Sequence, residues 1–236
     1  MRLDKDKLLT MLEMQAGMNA KINPEWLTAG YPFMRAAMIE GAEAIEHMGW
    51  KWWKAQTRDV EQLRMELVDI WHFALSHTIV LAHELSLTDG MESTSDGAAE
   101  YLLWGLNDSG RDHVEFDVLE CYMSDMDELS RMELLIGLAV TRSFNAALFE
   151  TLLKDAGMTW DDLYVAYVGK NVLNFFRQDH GYKDGTYQKI WRGREDNEHL
   201  TEIMAALDPA APAFRDLVYS RLDTRYMELT GVGVPQ

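Results

Sequence analysis

The segment from about Val60 to Glu84 predicts a helix that is apolar on nearly every side. Its apolar residues cover most directions around a helical axis: Leu67, Val68, Ile70, Trp71, Phe73, Ala74, Leu75, Ile79, Val80 and Leu81. A helix with this pattern is buried, because it has hardly any face to present to water. The rest of the chain must therefore supply elements that cover it.

Four further segments show helical periodicity, whereas the alternating β-branched runs that are typical of strands do not recur. They are residues 4–19, about 34–48, about 127–156 and about 159–178. Gly157 stands where a C-cap glycine would end the third segment, and Thr159 is placed to cap the fourth. We therefore predict an all-α protein, a helical bundle.

Residues 85–130 differ from the rest of the chain because they are acidic and rich in turn-forming residues. They include the stretches TDGMESTSDGAAE and NDSGRD, with room for short helices between them. We interpret this range as an excursion from the core or a mobile cap. The chain as a whole, residues 1–236, is expected to be a single domain, since no linker or repeat divides it.

Charge and composition exclude several classes of function. A formal net charge of -17 argues against a nucleic-acid-binding protein, which needs basic surfaces that neutralise phosphates. No apolar run approaches the roughly 20 residues that span a bilayer, so we expect no membrane partner. Cys121 is the only cysteine and the first ten residues are too charged for a signal peptide, which favours the cytoplasm.

Two pairs of carboxylates have the spacing that places both members on one side of a helix. Glu40 and Glu43 form the first pair, and Glu66 and Asp69 form the second. The first could be a solvated surface, but the second lies within the apolar helix, where unpaired carboxylates would cost several kcal/mol. Oxygen ligands without cysteine suit Mg²⁺ or Mn²⁺. The structural alternative is that Arg58, Arg64 or Arg142 neutralises these acids.

Two other polar sets stand out on predicted helices. Lys170, Asn174 and Arg177 share one helical face, which could bind a polyanion or simply be solvated. Gln15 and Asn19 interrupt an apolar stripe, so they must bond either to protein groups or to a ligand such as a pyrimidine. His47 and His72 stand beside the acidic pairs, and we interpret both as supporting or structural residues because hard cations prefer oxygen.

Three blocks of sequence together resemble one family. EGAEAIEHMGWKWWK (residues 40–54), ELVDIWHF (66–73) and KNVLNFFRQDHGYKDGTYQKIWRGREDN (170–197) are similar to the dimeric dUTPase family of the all-α NTP pyrophosphohydrolase superfamily. The resemblance covers residues 8–84 and 160–197. It implies Mg²⁺-dependent hydrolysis of dUTP, and of dUDP, to dUMP with attack at the β-phosphorus. It also implies deoxyuridine nucleotides as ligands and a homodimer, for which segment 127–156 would offer an apolar surface.

The resemblance also assigns roles to residues. The Mg²⁺ ligands would be Glu40, Glu43, Glu66 and Asp69, with Glu40 activating the attacking water. Gln15 and Asn19 would contact the base edge, Trp52 would line the base pocket, and Phe73 would pack against base and sugar. The phosphate-binding residues would be Lys170, Asn174, Arg177, Tyr182 and Lys189.

Two other functions remain open from the sequence. The first is a dCTP or mixed dCTP/dUTP pyrophosphatase, because an amide side chain can present either a hydrogen-bond donor or an acceptor to a base. The second is a helical interaction module that retains the fold without catalysis. The complete set of four carboxylates argues against the module.

Overall fold

The computed structural model describes residues 2–89, 94–107, 112–116, 119–209, 211 and 213–231. In these ranges the helices are α1 (Lys5–Ile22), α2 (Phe33–His47), α3 (Val60–Asp89), α4 (Thr94–Asn107), α5 (Glu128–Val140), α6 (Ala146–Asp155), α7 (Trp160–Asp179), α8 (Asp196–Ala205) and α9 (Phe214–Thr230). Strands β1 (His113–Phe116) and β2 (Leu119–Tyr122) form one antiparallel hairpin, and β3 (Ile190–Trp191) and β4 (Arg194–Glu195) form another. A 3-10 turn spans Met123–Asp125. The all-α prediction is confirmed.

The chain divides into two compact units, Met1–Tyr164 and Val165–Gln236. The first contains α1 to α6, the β1–β2 hairpin and the first turn of α7. The second contains the rest of α7, the β3–β4 hairpin, α8 and α9. None of the helices in the described part of the chain combines the length and apolar character that crossing a membrane requires.

Helix α3 is the centre of the first unit. It packs against α1, α2 and α4, and α2 in turn packs against α5. Trp71 of α3 is fully buried and stacks on Phe149 of α6, with ring centroids 5.2 Å apart and planes 12° from parallel. Phe144 and Trp160 pack against the same indole. The burial predicted for this apolar helix is therefore observed.

Part of the predicted excursion packs with the core helices. Helix α4 lies against α1, α3 and α6, and it buries Ala98, Ala99, Leu102 and Leu106. Residues 90–93, 108–111 and 117–118 lie outside the described residues. The interpretation of the range 85–130 as a mobile cap therefore stays a prediction.

The single helix predicted over 127–156 is wrong, because the chain forms two helices there. Arg142 adopts a left-handed conformation with φ 65°, and the Ser143 amide donates to the Leu138 carbonyl at 2.8 Å. This bonding pattern ends α5 as a Schellman motif, a role usually taken by glycine. The Asn145 side chain then accepts from the Leu148 amide at 2.9 Å and starts α6.

The second unit is built around an aromatic cluster. Phe176 of α7, Trp191 of β3 and Tyr226 of α9 are fully buried, and their rings lie within 6.1 Å of one another. The β3–β4 hairpin leads directly into α8, whose first turn is closed by a reciprocal capping box between Glu195 and Glu198. These contacts hold the start of α8 beside the basic face of α7, which carries Lys170, Asn174 and Arg177.

Candidate functional site

The carboxylates of Glu40, Glu43 and Glu66 form a cluster between α2 and α3. One oxygen from each lies within 4.8 Å of the other two. Glu66 is buried, Glu40 is half-buried and Glu43 is exposed, so the cluster opens to solvent on the Glu43 side. Three hard oxygen donors at these separations are a suitable ligand set for Mg²⁺, which retains waters or phosphate oxygens in its other positions.

The link between α2 and α3 explains why these residues meet. The Asp59 amide donates to the His47 carbonyl at 2.9 Å, which ties the end of α2 to the start of α3. Glu40 lies two helical turns before His47, and Glu66 lies two helical turns after Asp59. The two carboxylates therefore stand at the same level of the helix pair.

A glycine allows α2 to approach α5 closely at this level. A Cβ atom added at Gly41 would lie 2.8 Å from Cγ1 of Ile136, inside normal contact distance. Gly41 lies between the two carboxylates of α2 in sequence. Close packing on one side of α2 thus fixes the position of the acidic side chains on the other.

The acidic environment changes the protonation of Glu40. Burial, followed by the negative charges of Asp69, Glu66 and Glu43 and a hydrogen bond with Glu66, raises the pKa of Glu40 to about 7. Asp69, the fourth predicted ligand, is therefore close enough to act electrostatically on Glu40. A cation at this position would relieve the repulsion between the carboxylates.

Two of the three arginines proposed as structural neutralisers, Arg58 and Arg64, have other partners. Arg58 forms a bidentate pair with Glu128. Arg64 bonds to Glu61 and to the carbonyls of Ala156 and Gly157. His47 lies nearer the cluster, with Nε2 3.5 Å from Oε1 of Glu66.

The two amides of α1 belong to a buried hydrogen-bonded chain. Nδ1 of His72 lies 2.8 Å from Oε1 of Gln15, whose Nε2 donates to Oδ1 of Asn19 at 3.1 Å. Asn19 Nδ2 donates to Oγ of Ser76 at 3.0 Å, and this hydroxyl donates to the His72 carbonyl at 3.0 Å. Ser76 is not predicted from the sequence as a member of this chain. The spacing of His72 and Ser76 could have indicated this residue, because it matches the spacing of Gln15 and Asn19.

The two predicted aromatic contacts have different environments. Trp52 is 89% exposed and contacts the ring of Trp53 edge-on. Phe73 is half-buried on α3, directly after His72 and one helical turn beyond Asp69. Phe73 is thus on the same helix as Glu66 and Asp69, whereas Trp52 is in the connection between α2 and α3.

The predicted phosphate-binding residues all belong to the second unit. Arg177 forms a bidentate pair with the fully buried Asp196, with both N–O distances 2.8 Å, and its Nη1 donates to Asn174 at 3.3 Å. The guanidinium also lies 5.9 Å from the ring centroid of Tyr182. Of the other two residues, Lys170 is half-buried, and Lys189 is exposed and pairs with Glu195 at 3.0 Å.

Asp196 and Tyr187 were missed by the sequence analysis. Tyr187 donates its hydroxyl hydrogen bond to Asp196 at 2.8 Å, so the carboxylate bonds both the guanidinium and the phenol. The pairing of Arg177 with Asp196 depends on how the chain between α7 and α8 folds back. No local pattern in the sequence indicates it.

Comparison with known proteins identifies one family. A family model described as dUTPase matches residues 7–182, which is more than half of the chain. The matched range includes the carboxylate cluster, the amide chain and the basic face of α7, and Lys189 lies beyond it. No curated protein matches the chain.

Proposed function

The chain belongs to the dUTPase family and is a dUTP diphosphatase, and we propose that it splits dUTP to dUMP and pyrophosphate with Mg²⁺ held by Glu40, Glu43, Glu66 and Asp69. The observation that carries the proposal is the convergence of three carboxylate oxygens within 4.8 Å of one another. Mn²⁺ has similar ligand preferences and would serve in its place. The same site would split dUDP to dUMP and phosphate.

The donor set fits a hard cation. Each ligand is a carboxylate oxygen, and the raised pKa of Glu40 shows how strongly the cluster disfavours a further negative charge without one. When bound, the ion would neutralise the polyphosphate and lower the pKa of the attacking water. Glu40 is partly exposed and lies within the carboxylate cluster, so its carboxylate is accessible to take the proton of that water.

The other predicted residues would bind the base and the phosphates of the substrate. Gln15 and Asn19 present amide groups that match the donors and acceptors of a pyrimidine edge. Phe73 packs against base and sugar, and Trp52 covers the base. Phosphate contacts come from Lys170, Asn174, Arg177, Tyr182 and Lys189. The assignment of these residues rests on the family resemblance and on their charge.

We also propose a homodimer. Support comes from apolar side chains on the surface of the first unit, including Ile39, which is 47% exposed, and Val140, which is 57% exposed. Tyr31, Pro32, Phe33, Arg35, Ala36 and Ile39 line a shallow, largely apolar depression of about 300 Å³ on the same helix as Glu40. Light scattering tests the dimer, and a monomer mass at working concentration would contradict it.

Initial rates on four nucleotides test the substrate assignment. With Mg²⁺, we expect hydrolysis of dUTP to exceed that of dCTP, dTTP and UTP, and we expect EDTA to abolish it. A preference for dCTP would instead support the dCTP pyrophosphatase alternative. Turnover that persists in EDTA would contradict the proposed metal site.

A further inference from the structure

We infer that His72 and Ser76 determine the base preference of the site by holding the amides of Gln15 and Asn19 in one orientation. The inference rests on the proposed function, in which these two amides contact the base. His72 and Ser76 act through the amides, so they are positioning residues.

The four side chains form two matched pairs. Gln15 and Asn19 lie one turn apart on α1, and His72 and Ser76 lie one turn apart on α3. All four are buried, with exposed fractions between 0 and 8%. Polar groups buried to this extent must be hydrogen-bonded, so the chain of bonds between the helices is energetically required. Only a small part of each amide remains for a ligand to reach.

The chain has a direction that starts at Ser76. Its hydroxyl donates to the His72 carbonyl, so its oxygen accepts from the Asn19 amide nitrogen. Asn19 Oδ1 is then the acceptor for Gln15 Nε2, and Gln15 Oε1 is the acceptor for Nδ1 of His72. Each amide oxygen is thereby turned toward His72 and each amide nitrogen toward Ser76.

This direction matters because uracil and cytosine carry opposite groups. Uracil has an N–H donor at position 3 and a carbonyl acceptor at position 4, whereas cytosine has an acceptor at position 3 and an amino donor at position 4. An amide that can rotate by 180° can match either base. An amide held in one orientation matches one base and leaves a buried polar group unpaired with the other, which discriminates strongly.

Removal of Ser76 Oγ frees the end of the chain. In Ser76→Ala, the Asn19 amide loses its acceptor, so the reversed orientation becomes accessible to Asn19 and then to Gln15. With one hydrogen bond lost, we expect discrimination between the two bases to fall by up to about tenfold. This expectation holds whichever base the wild type prefers.

Two ratios test the inference. The first is kcat/KM for dUTP divided by that for dCTP, and the second is the ratio of the dissociation constants of dUMP and dCMP by calorimetry, which needs no turnover. Both ratios should move toward one in Ser76→Ala and in His72→Phe, which removes Nδ1 at the other end. Thr78→Val is the matched control, because Thr78 is 1% exposed and its hydroxyl donates to the Ala74 carbonyl at 2.8 Å, within its own helix. This control should keep the wild-type ratios.

Unchanged ratios in a folded Ser76→Ala or His72→Phe would overturn the inference, and so would equal binding of dUMP and dCMP by the wild type. An equal fall of the ratios in Thr78→Val would also overturn it, because the effect would then come from loss of any buried hydroxyl. Failure of the proposed function looks different. In that case the wild type would hydrolyse neither dUTP nor dCTP, whatever the mononucleotide ratios.

Discussion

The carboxylates of Glu40 and Glu66 face each other between helices α2 and α3, with one oxygen of each within 4.8 Å of the other. Burial and the neighbouring negative charges raise the pKa of Glu40 to about 7, so Glu40 keeps a proton at a pH at which an isolated glutamate has lost it. The ion-free site is thus a proton-binding site. A divalent cation must displace this proton in order to bind.

The stability of the ion-free protein should therefore depend on pH, because Glu40 binds its proton more tightly in the folded state. Its pKa is raised from 4.5 to about 7, so the folded protein keeps a proton that the unfolded chain releases. Stability from this group is present below about pH 4.5 and is lost as the pH rises toward 7. Thermal unfolding in EDTA between pH 4.5 and about 7 should show this loss of stability in the wild type but not in Glu40→Gln. Parallel curves for the two proteins would contradict the assignment.

Gly41→Ala should loosen the packing of α2 on α5. The added methyl would lie 2.8 Å from Ile136 Cγ1, so we expect a loss of about 1–3 kcal/mol in the free energy of unfolding and weaker Mg²⁺ binding. Gly105→Ala is the control, because its methyl would lie 3.8 Å from Ala146 Cβ, an ordinary contact. That helical substitution should gain up to about 1 kcal/mol. Urea denaturation measures both, and equal effects would refute the steric argument.

Asp196→Asn should destabilise the start of α8. It leaves the charge of Arg177 without its buried partner, which costs about 3–5 kcal/mol. Hydrogen exchange of the α8 amides should accelerate accordingly. Glu202→Gln removes one exposed partner of Arg194 and Arg225 on the same helix, so it should have a much smaller effect on stability. Exchange that is unaffected by Asp196→Asn would show that the buried pair does not hold α8.

Hydrolysis in ¹⁸O-labelled water should place the label in pyrophosphate. Attack at the β-phosphorus of dUTP breaks its bond to the oxygen that leaves with dUMP, so the water oxygen stays on the β-phosphorus. With dUDP, the label should appear in phosphate. Mass spectrometry of the products distinguishes this from attack at the α-phosphorus, which would place the label in dUMP.

The fold and the acidic pairs could be predicted from the sequence because both depend on local periodicity. The apolar pattern around Trp71 indicates a buried helix, and the spacing of Glu66 and Asp69 places both on that helix. The break between α5 and α6 could not be predicted, because Arg142 occupies a left-handed position that usually belongs to glycine.

The hydrogen-bonded pairs within the site were also beyond the sequence. Ser76 is an unremarkable residue until α1 packs against α3 and brings Asn19 within 3.0 Å of it. Arg177 could be predicted as a basic residue on one face of α7, but its bidentate partner Asp196 lies in another element. Such contacts depend on how helices pack, and helical periodicity carries no information about that.

Glu66→Gln tests whether the carboxylates between α2 and α3 bind the catalytic cation. The measurement is the Mg²⁺-induced rise in melting temperature together with dUTP turnover, with Glu61→Gln as the control. Glu61 lies on the same helix, 82% exposed and paired with Arg64. We predict that Glu66→Gln loses both the Mg²⁺ effect and turnover while Glu61→Gln keeps them. Wild-type Mg²⁺ stabilisation and turnover in Glu66→Gln would contradict the account.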